Sequence, residues 1–211
     1  MEVKQNNLIK SLILQPLIVV IRLEHQFFNL SQKRDNLFLK IEKLSNYGVK
    51  NIELGWDSNP EWVNLILEIK NKFKLINIGI ASITSIESLD SISSLDINYS
   101  MSPFFNKEIH LNAIKSNQLV IPGISNIENF KEAIKLGYKI VKIYPASELG
   151  INFINDLQEI KKKNIFFIGA GGIKSKNLKK LLKSGYDALV IGKELRNQTP
   201  DKDLEIWLKD Y

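Results

Sequence analysis

The sequence predicts an α/β protein, a closed (β/α)8 barrel of the TIM type with an extra helix at its N-terminus. Three observations carry that expectation. Short β-branched runs recur eight times along the 211 residues. Segments with apolar residues at helical spacing lie between them. The alternation continues from end to end without a Gly/Ser/Pro-rich linker, so residues 1–211 read as one domain with a parallel sheet inside and helices outside. In so short a chain, closing the sheet is more economical than leaving long open edges.

The runs are Leu17–Ile21, Asn51–Leu54, Ile76–Ile80, Ile97–Met101, Leu119–Ile121, Ile140–Ile143, Ile165–Ile168 and Ala188–Ile191. Leu37, Ile41 and Leu44 form one helical stripe, Ile127, Phe130, Ala133 and Ile134 a second, and Leu178, Leu181 and Leu182 a third. Asn59-Pro60 and Asn126 are suited to start helices, the asparagine as cap and the proline in the first turn. Gly48, Gly137 and Gly185 each follow a stripe and precede a strand, the place of a left-handed helix terminus. The segment before Leu17 is expected to cover the bottom of the barrel, and Asp201–Tyr211 to close the chain as a helix.

Composition removes several function classes. With no cysteine, disulfides, thiolate metal sites and cysteine nucleophiles are excluded. The two histidines, His25 and His110, are far apart and have no carboxylate cluster nearby, so no metal site is expected. The N-terminus has neither an apolar h-region nor a small-residue cleavage site, and no apolar run is long enough to span a bilayer, so the protein reads as soluble and cytoplasmic. The net charge of +6 is spread over helix faces, with Lys161-Lys162-Lys163 at a helix end, where positive charge suits the helix dipole. No nucleic-acid partner is expected.

Three ionisable residues sit in or beside strands, where alternation turns them toward the barrel interior. Val141 and Ile143 suit the helix layer, so Lys142 points inward. Ile52 and Leu54 likewise leave Glu53 inward, and Arg22 ends its strand on the face of Val20. All three lie near the C-terminal mouth, where barrel enzymes hold their active sites. A buried Glu–Lys pair can be a plain salt bridge, but burial costs several kcal/mol per ion, so such pairs are seldom kept for stability alone. A lysine in a partly apolar pocket has its ammonium form disfavoured and becomes a nucleophilic amine. Attack on a ketone then leads through a carbinolamine to an iminium, an electron sink that lets the neighbouring C–C bond break. A glutamate can move the protons of those steps. No metal or other cofactor is needed for this chemistry. A second signal is Gly169-Ala170-Gly171-Gly172 after the seventh run, with Gly192-Lys193 after the eighth. Paired glycine turns at these positions form anion cradles in many barrels.

On these residues the chain resembles the 2-keto-3-deoxy-6-phosphogluconate (KDPG) and 4-hydroxy-2-oxoglutarate (KHG) aldolase family. The similarity runs from about Leu17 to Leu195. Its landmarks are Val-Val-Ile-Arg ending at Arg22, Ile52-Glu53, Gly79-Ile80-Ala81-Ser82, Ser102-Pro103, Ile121-Pro122-Gly123, Val141-Lys142-Ile143-Tyr144-Pro145-Ala146 and Gly171-Gly172-Ile173. The resemblance implies a class I aldolase that splits a 2-keto acid, phosphorylated or not, into pyruvate and an aldehyde, glyceraldehyde 3-phosphate or glyoxylate. It implies Lys142 as the Schiff-base lysine and Glu53 as general acid/base. It implies Arg22 and Ser82 near the substrate carboxylate, Pro103 shaping the pocket, and Gly171, Gly172, Gly192 and Lys193 receiving a phosphate. It also implies a homotrimer. The chain departs from the family pattern at Asp57, where an arginine is common, at Ala170 and Ser82, where threonines are common, and at Lys193 in place of a serine. The alternative is a relative that binds a sugar phosphate or keto acid without cleaving it.

Overall fold

The computed structural model describes residues 1–23, 31–160, 165–192 and 202–211. Helix α1 (Glu2–Leu14) is followed by β1 (Leu17–Ile21), α2 (Ser31–Asn46), β2 (Asn51–Gly55), α3 (Trp62–Lys72), β3 (Asn77–Ala81), α4 (Ile86–Ser91) and a 3-10 turn at Ser93–Leu95. Then come β4 (Ser100–Met101), α5 (Lys107–Lys115), β5 (Val120–Ile121), β6 (Gly123–Ile124), α6 (Ile127–Lys135) and β7 (Ile140–Ile143). The chain continues through α7 (Ala146–Ile160), β8 (Phe166–Ala170), a second 3-10 turn (Ser175–Asn177), α8 (Leu178–Lys183), β9 (Ala188–Ile191) and α9 (Lys202–Leu208).

All strand pairs are parallel, in the order β5-β4-β3-β2-β1-β9-β8-β7-β6. The two ends of that order, β5 and β6, are halves of one stave separated only by Pro122. The first half pairs with β4 and the second with β7, so the barrel closes with eight staves. Proline has no N–H to give the ladder, so the stave is interrupted there, and its second half, Gly123–Ile124, continues beyond the expected run Leu119–Ile121. Its carbonyl still serves, accepting from the Lys142 N–H at 2.9 Å.

The interior and the helix layer are filled by the expected residues. Leu37, Ile41 and Leu44 on α2 are buried, as are Phe130 and Ala133 on α6 and Leu178 on α8. Gly48, Gly137 and Gly185 hold φ of +87°, +88° and +109° after their helices. Asn126 caps α6 by accepting from the Asn129 N–H. Asn59-Pro60 does not start α3 as expected: the helix begins at Trp62 with Glu61 at the cap position, and the Asn59 side chain accepts from the Glu61 N–H in the turn before it.

Helix α1 covers the bottom through two buried glutamines that imitate backbone. Gln5 donates to Gly137 O and accepts from the Lys139 N–H at 2.7 Å, just before β7. Gln15 donates to Gly48 O and accepts from the Lys50 N–H at 2.8 Å, just before β2. The strand entrances are thereby satisfied from below, and the opposite, C-terminal rim is left for the site.

The stave-5 break leaves no room for a side chain at Gly123. A Cβ built there would lie 2.4 Å from the carbonyl carbon and oxygen of Pro103, both backbone atoms that cannot rotate away. Gly123→Ala is expected to destabilise the protein by about 1–3 kcal/mol, the usual range for overpacking a rigid core. Urea unfolding followed by circular dichroism measures it.

Candidate active site

Lys142 sits on β7 beside Gly123 of β6 and Ile168 of β8. Glu53 sits on β2 between Val20 of β1 and Gly79 of β3. Counting staves in either direction, β2 and β7 are four apart, so the two residues lie on opposite walls and reach toward a common axis. Both are buried, Lys142 7% exposed and Glu53 2%.

Their electrostatics follow from that placement. Burial holds the Lys142 amine down to about 8, against an opposing pull upward from the Glu53 charge. Burial pushes the Glu53 carboxyl up to about 7, with the Lys142 charge opposing. The two values approach each other because both groups pay for lost hydration and neither has a full hydrogen-bond set. Glu53 Oε1 has no partner. Lys142 Nζ lies 5.3 Å from the centre of the Tyr144 ring, an aromatic wall that shields it from water while tolerating its positive charge.

The remaining expected residues gather around the rim. Arg22 follows β1 and is exposed, its Cα against the glycine at the end of β2, Gly55. Ser82 follows β3, exposed, with φ of +69°, a left-handed conformation that non-glycine residues seldom hold without cause. Pro103 follows β4 and is half-buried against Gly123. Gly171 and Gly172 follow β8 with φ of +90° and +70°, so their conformation itself favours glycine. A Cβ on Gly172 would meet the Ser147 hydroxyl, and the Ser147 N–H donates to Gly171 O at 3.1 Å. Gly192 follows β9 beside Val20. Lys193 lies outside the described residues. Asp57 is half-buried after β2, its Oδ1 accepting from the Asn59 N–H at 2.8 Å in a local turn.

Three further residues join this neighbourhood; Ser102 and Tyr144 stand within the landmark runs without a role assigned there, and Ser147 carries no sequence signal of its own. Tyr144 and Ser147 enter because the chain folds back after β7 to touch Gly171 and Gly172. Ser102 enters through a buried chain of polar groups. Its hydroxyl donates to Ile121 O, accepts from the Gly123 N–H, and contacts His110 Nε2 at 3.4 Å, while His110 Nδ1 meets the Tyr138 hydroxyl at 2.9 Å. Burial pushes the His110 ring down to about 4, so it is neutral, with one nitrogen donating and the other accepting. The chain ties Pro103 and Gly123, and with them the stave beside Lys142, to α5. Among the described residues no cluster of His, Cys, Asp or Glu is placed to hold a metal ion.

The fold is a closed parallel barrel, and beneath its C-terminal rim one buried amine faces one buried carboxylate. The protein belongs to the KDPG and KHG aldolase family, whose sequence model matches residues 10–205. It is similar to the 2-dehydro-3-deoxy-6-phosphogalactonate aldolase of Escherichia coli (strain K12), 24% identical over 162 residues that cover 73% of this chain and 78% of that protein. The 2-keto-3-deoxy-6-phosphogluconate aldolase of Zymomonas mobilis ATCC 29191 superposes with a TM-score of 0.77 at 19% identity, over 96% of this chain and 95% of that one. The KDPG aldolase of Legionella pneumophila, captured with pyruvate as a covalent carbinolamine, superposes with a TM-score of 0.74 at 22% identity, over 92% and 91%.

The charge coupling across the barrel makes a signed prediction. Glu53→Gln removes the negative charge that holds Lys142 up, so the amine is expected to fall further below its ordinary value, by about one unit. Competitive acylation across pH, read by peptide mass spectrometry, should show the Lys142 midpoint moving down and its reactivity at neutral pH rising. A midpoint that stays in place would mean that the two residues do not act on each other.

Proposed function

We propose that this protein is a class I aldolase that cleaves a 4-hydroxy-2-keto acid to pyruvate and an aldehyde, with Lys142 as the imine-forming residue and Glu53 as the proton carrier. The observation that carries the reading is the facing pair: an amine lowered by burial opposite a carboxyl raised by burial. The family supports it, since the relatives it matches are aldolases by name.

The chemistry follows from the two groups. The neutral fraction of Lys142 attacks the C2 carbonyl to give a carbinolamine, and loss of water gives a protonated imine. Ionised Glu53 accepts the proton of the C4 hydroxyl as the C3–C4 bond breaks. The bonding electrons pass to the imine nitrogen as an enamine, and the aldehyde departs. Return of a proton to C3 and addition of water then free pyruvate and the amine. The exposed Arg22 supplies a fixed positive charge for the substrate carboxylate at the rim. The backbone at Gly171, Gly172 and Gly192 lies where a phosphate on the far end of the substrate would be received.

Both KDPG and 4-hydroxy-2-oxoglutarate fit this reading, and the paired glycine turns favour the phosphorylated sugar acid. Asp57 sets a negative charge at the rim beside β2 and weakens that preference. The same reading makes the protein a homotrimeric cytoplasmic enzyme.

Incubation with pyruvate and borohydride, followed by peptide mass spectrometry, tests the mechanism. A reduced pyruvyl adduct on Lys142 is expected, and turnover of either substrate should fall roughly a thousandfold or more in Lys142→Ala. Absence of the adduct on folded protein would overturn the mechanism and favour a binding barrel. Asp57→Arg is expected to raise kcat/KM for the phosphorylated substrate about tenfold, leaving 4-hydroxy-2-oxoglutarate little changed. Steady-state kinetics with both substrates decides it.

A further inference from the structure

Resting on the assignment of Glu53 just made, we infer that Tyr99 is a positioning residue for that carboxylate, its phenol donating a hydrogen bond to Glu53 directly or across one water. The placement comes from the register. Glu53 stands beside Gly79, and Ile80 stands beside Ser100, so Tyr99 is the β4-side neighbour of Gly79. Residues in register point to the same face. A Cβ on Gly79 would strike the Tyr99 ring at Cζ, 2.3 Å away, and at both adjoining ring carbons. The hydroxyl end of Tyr99 therefore occupies the interior space that Gly79 leaves open beside Glu53.

Two polar atoms at this point are buried without partners on one interior face. Tyr99 is fully buried and its hydroxyl has no hydrogen-bond partner; Glu53 Oε1, on the same face, has none either. A phenylalanine would fill the same volume without burying a donor, so the hydroxyl is a cost unless it has a use. Contrast Tyr138, also buried, whose hydroxyl is met by His110. An orphan donor and an orphan carboxylate oxygen on one interior face are complementary. The Tyr99 hydroxyl is also held above its ordinary range by burial first and by the Glu53 charge second, so the phenol stays protonated as a donor.

The consequence is specific. Burial alone favours a protonated Glu53, whereas a carboxylate that must accept a proton has to be ionised at working pH. A phenol donating to it restores part of the lost hydration and favours the ionised form. It also fixes which oxygen is free to face Lys142.

Carbon-13 NMR of protein labelled at the glutamate carboxyl, with the Glu53 signal assigned by its loss in Glu53→Gln, reads the titration without any need for turnover. In Tyr99→Phe the Glu53 midpoint is expected to rise by about one unit. 3-Fluorotyrosine at position 99, a stronger donor of nearly the same shape, should move it down. The acid limb of kcat/KM should follow the same shifts. A Glu53 midpoint that is the same in all three proteins would overturn the inference. Failure of the unaltered protein to form the pyruvate adduct would overturn the aldolase assignment while leaving the carboxyl titration to judge Tyr99 by itself.

Discussion

Holding an ammonium and a carboxylate inside a barrel, out of water and facing each other, is the constraint on which the rest of the molecule depends. Each ion forfeits several kcal/mol of hydration on burial, and the protein must recover enough of it to fold while leaving both groups unsaturated. Lys142 and Glu53 meet that condition by standing on opposite walls. Across the barrel they feel each other's charge, which limits how far burial moves either one. Such a balance needs walls that do not relax, because a small outward shift would admit water and restore ordinary values.

The rigidity can be traced to named devices. Below, Gln5 and Gln15 close the strand entrances with backbone-like hydrogen bonds, so α1 acts as a fitted base. At the side, stave 5 is broken by Pro122, the weakest point of the ladder. There the Tyr138–His110–Ser102 chain takes over, binding the Ile121 carbonyl and the Gly123 N–H that the break disturbs. Above, left-handed Ser82, Gly171 and Gly172 turn the chain sharply at the ends of β3 and β8. Ser82 is the non-glycine residue held left-handed at this rim, while Asp96 and Asn117 hold the same conformation ahead of β4 and β5 at the other end.

Much of this was legible beforehand, for a physical reason. Strand and helix repeat on periods of about 2 and 3.6 residues, so Lys142 and Glu53 declared themselves as charges out of phase with their apolar neighbours. The glycines after α2, α6 and α8 were legible because left-handed helix ends admit few other residues. Tyr99 was not, because an aromatic residue in a strand reads as core whichever wall it faces. The split of stave 5 was not either. Ile121-Pro122-Gly123 marks a turn or an edge in isolation, and only closure of the barrel makes it a seam between β4 and β7.

Local pattern alone therefore determined the fold class, the eight staves and the inward lysine and glutamate, since each is a property of periodicity and residue type within a few positions. The family landmarks, read from the same string, added the expected chemistry. The tertiary structure decided what depends on distance and on water. It set Lys142 opposite Glu53, placed the Tyr99 hydroxyl and Glu53 Oε1 on one buried face without partners, and brought Ser147 to Gly172. Burial and register are properties of the closed sheet, and no segment of the chain possesses them until all eight staves are in place.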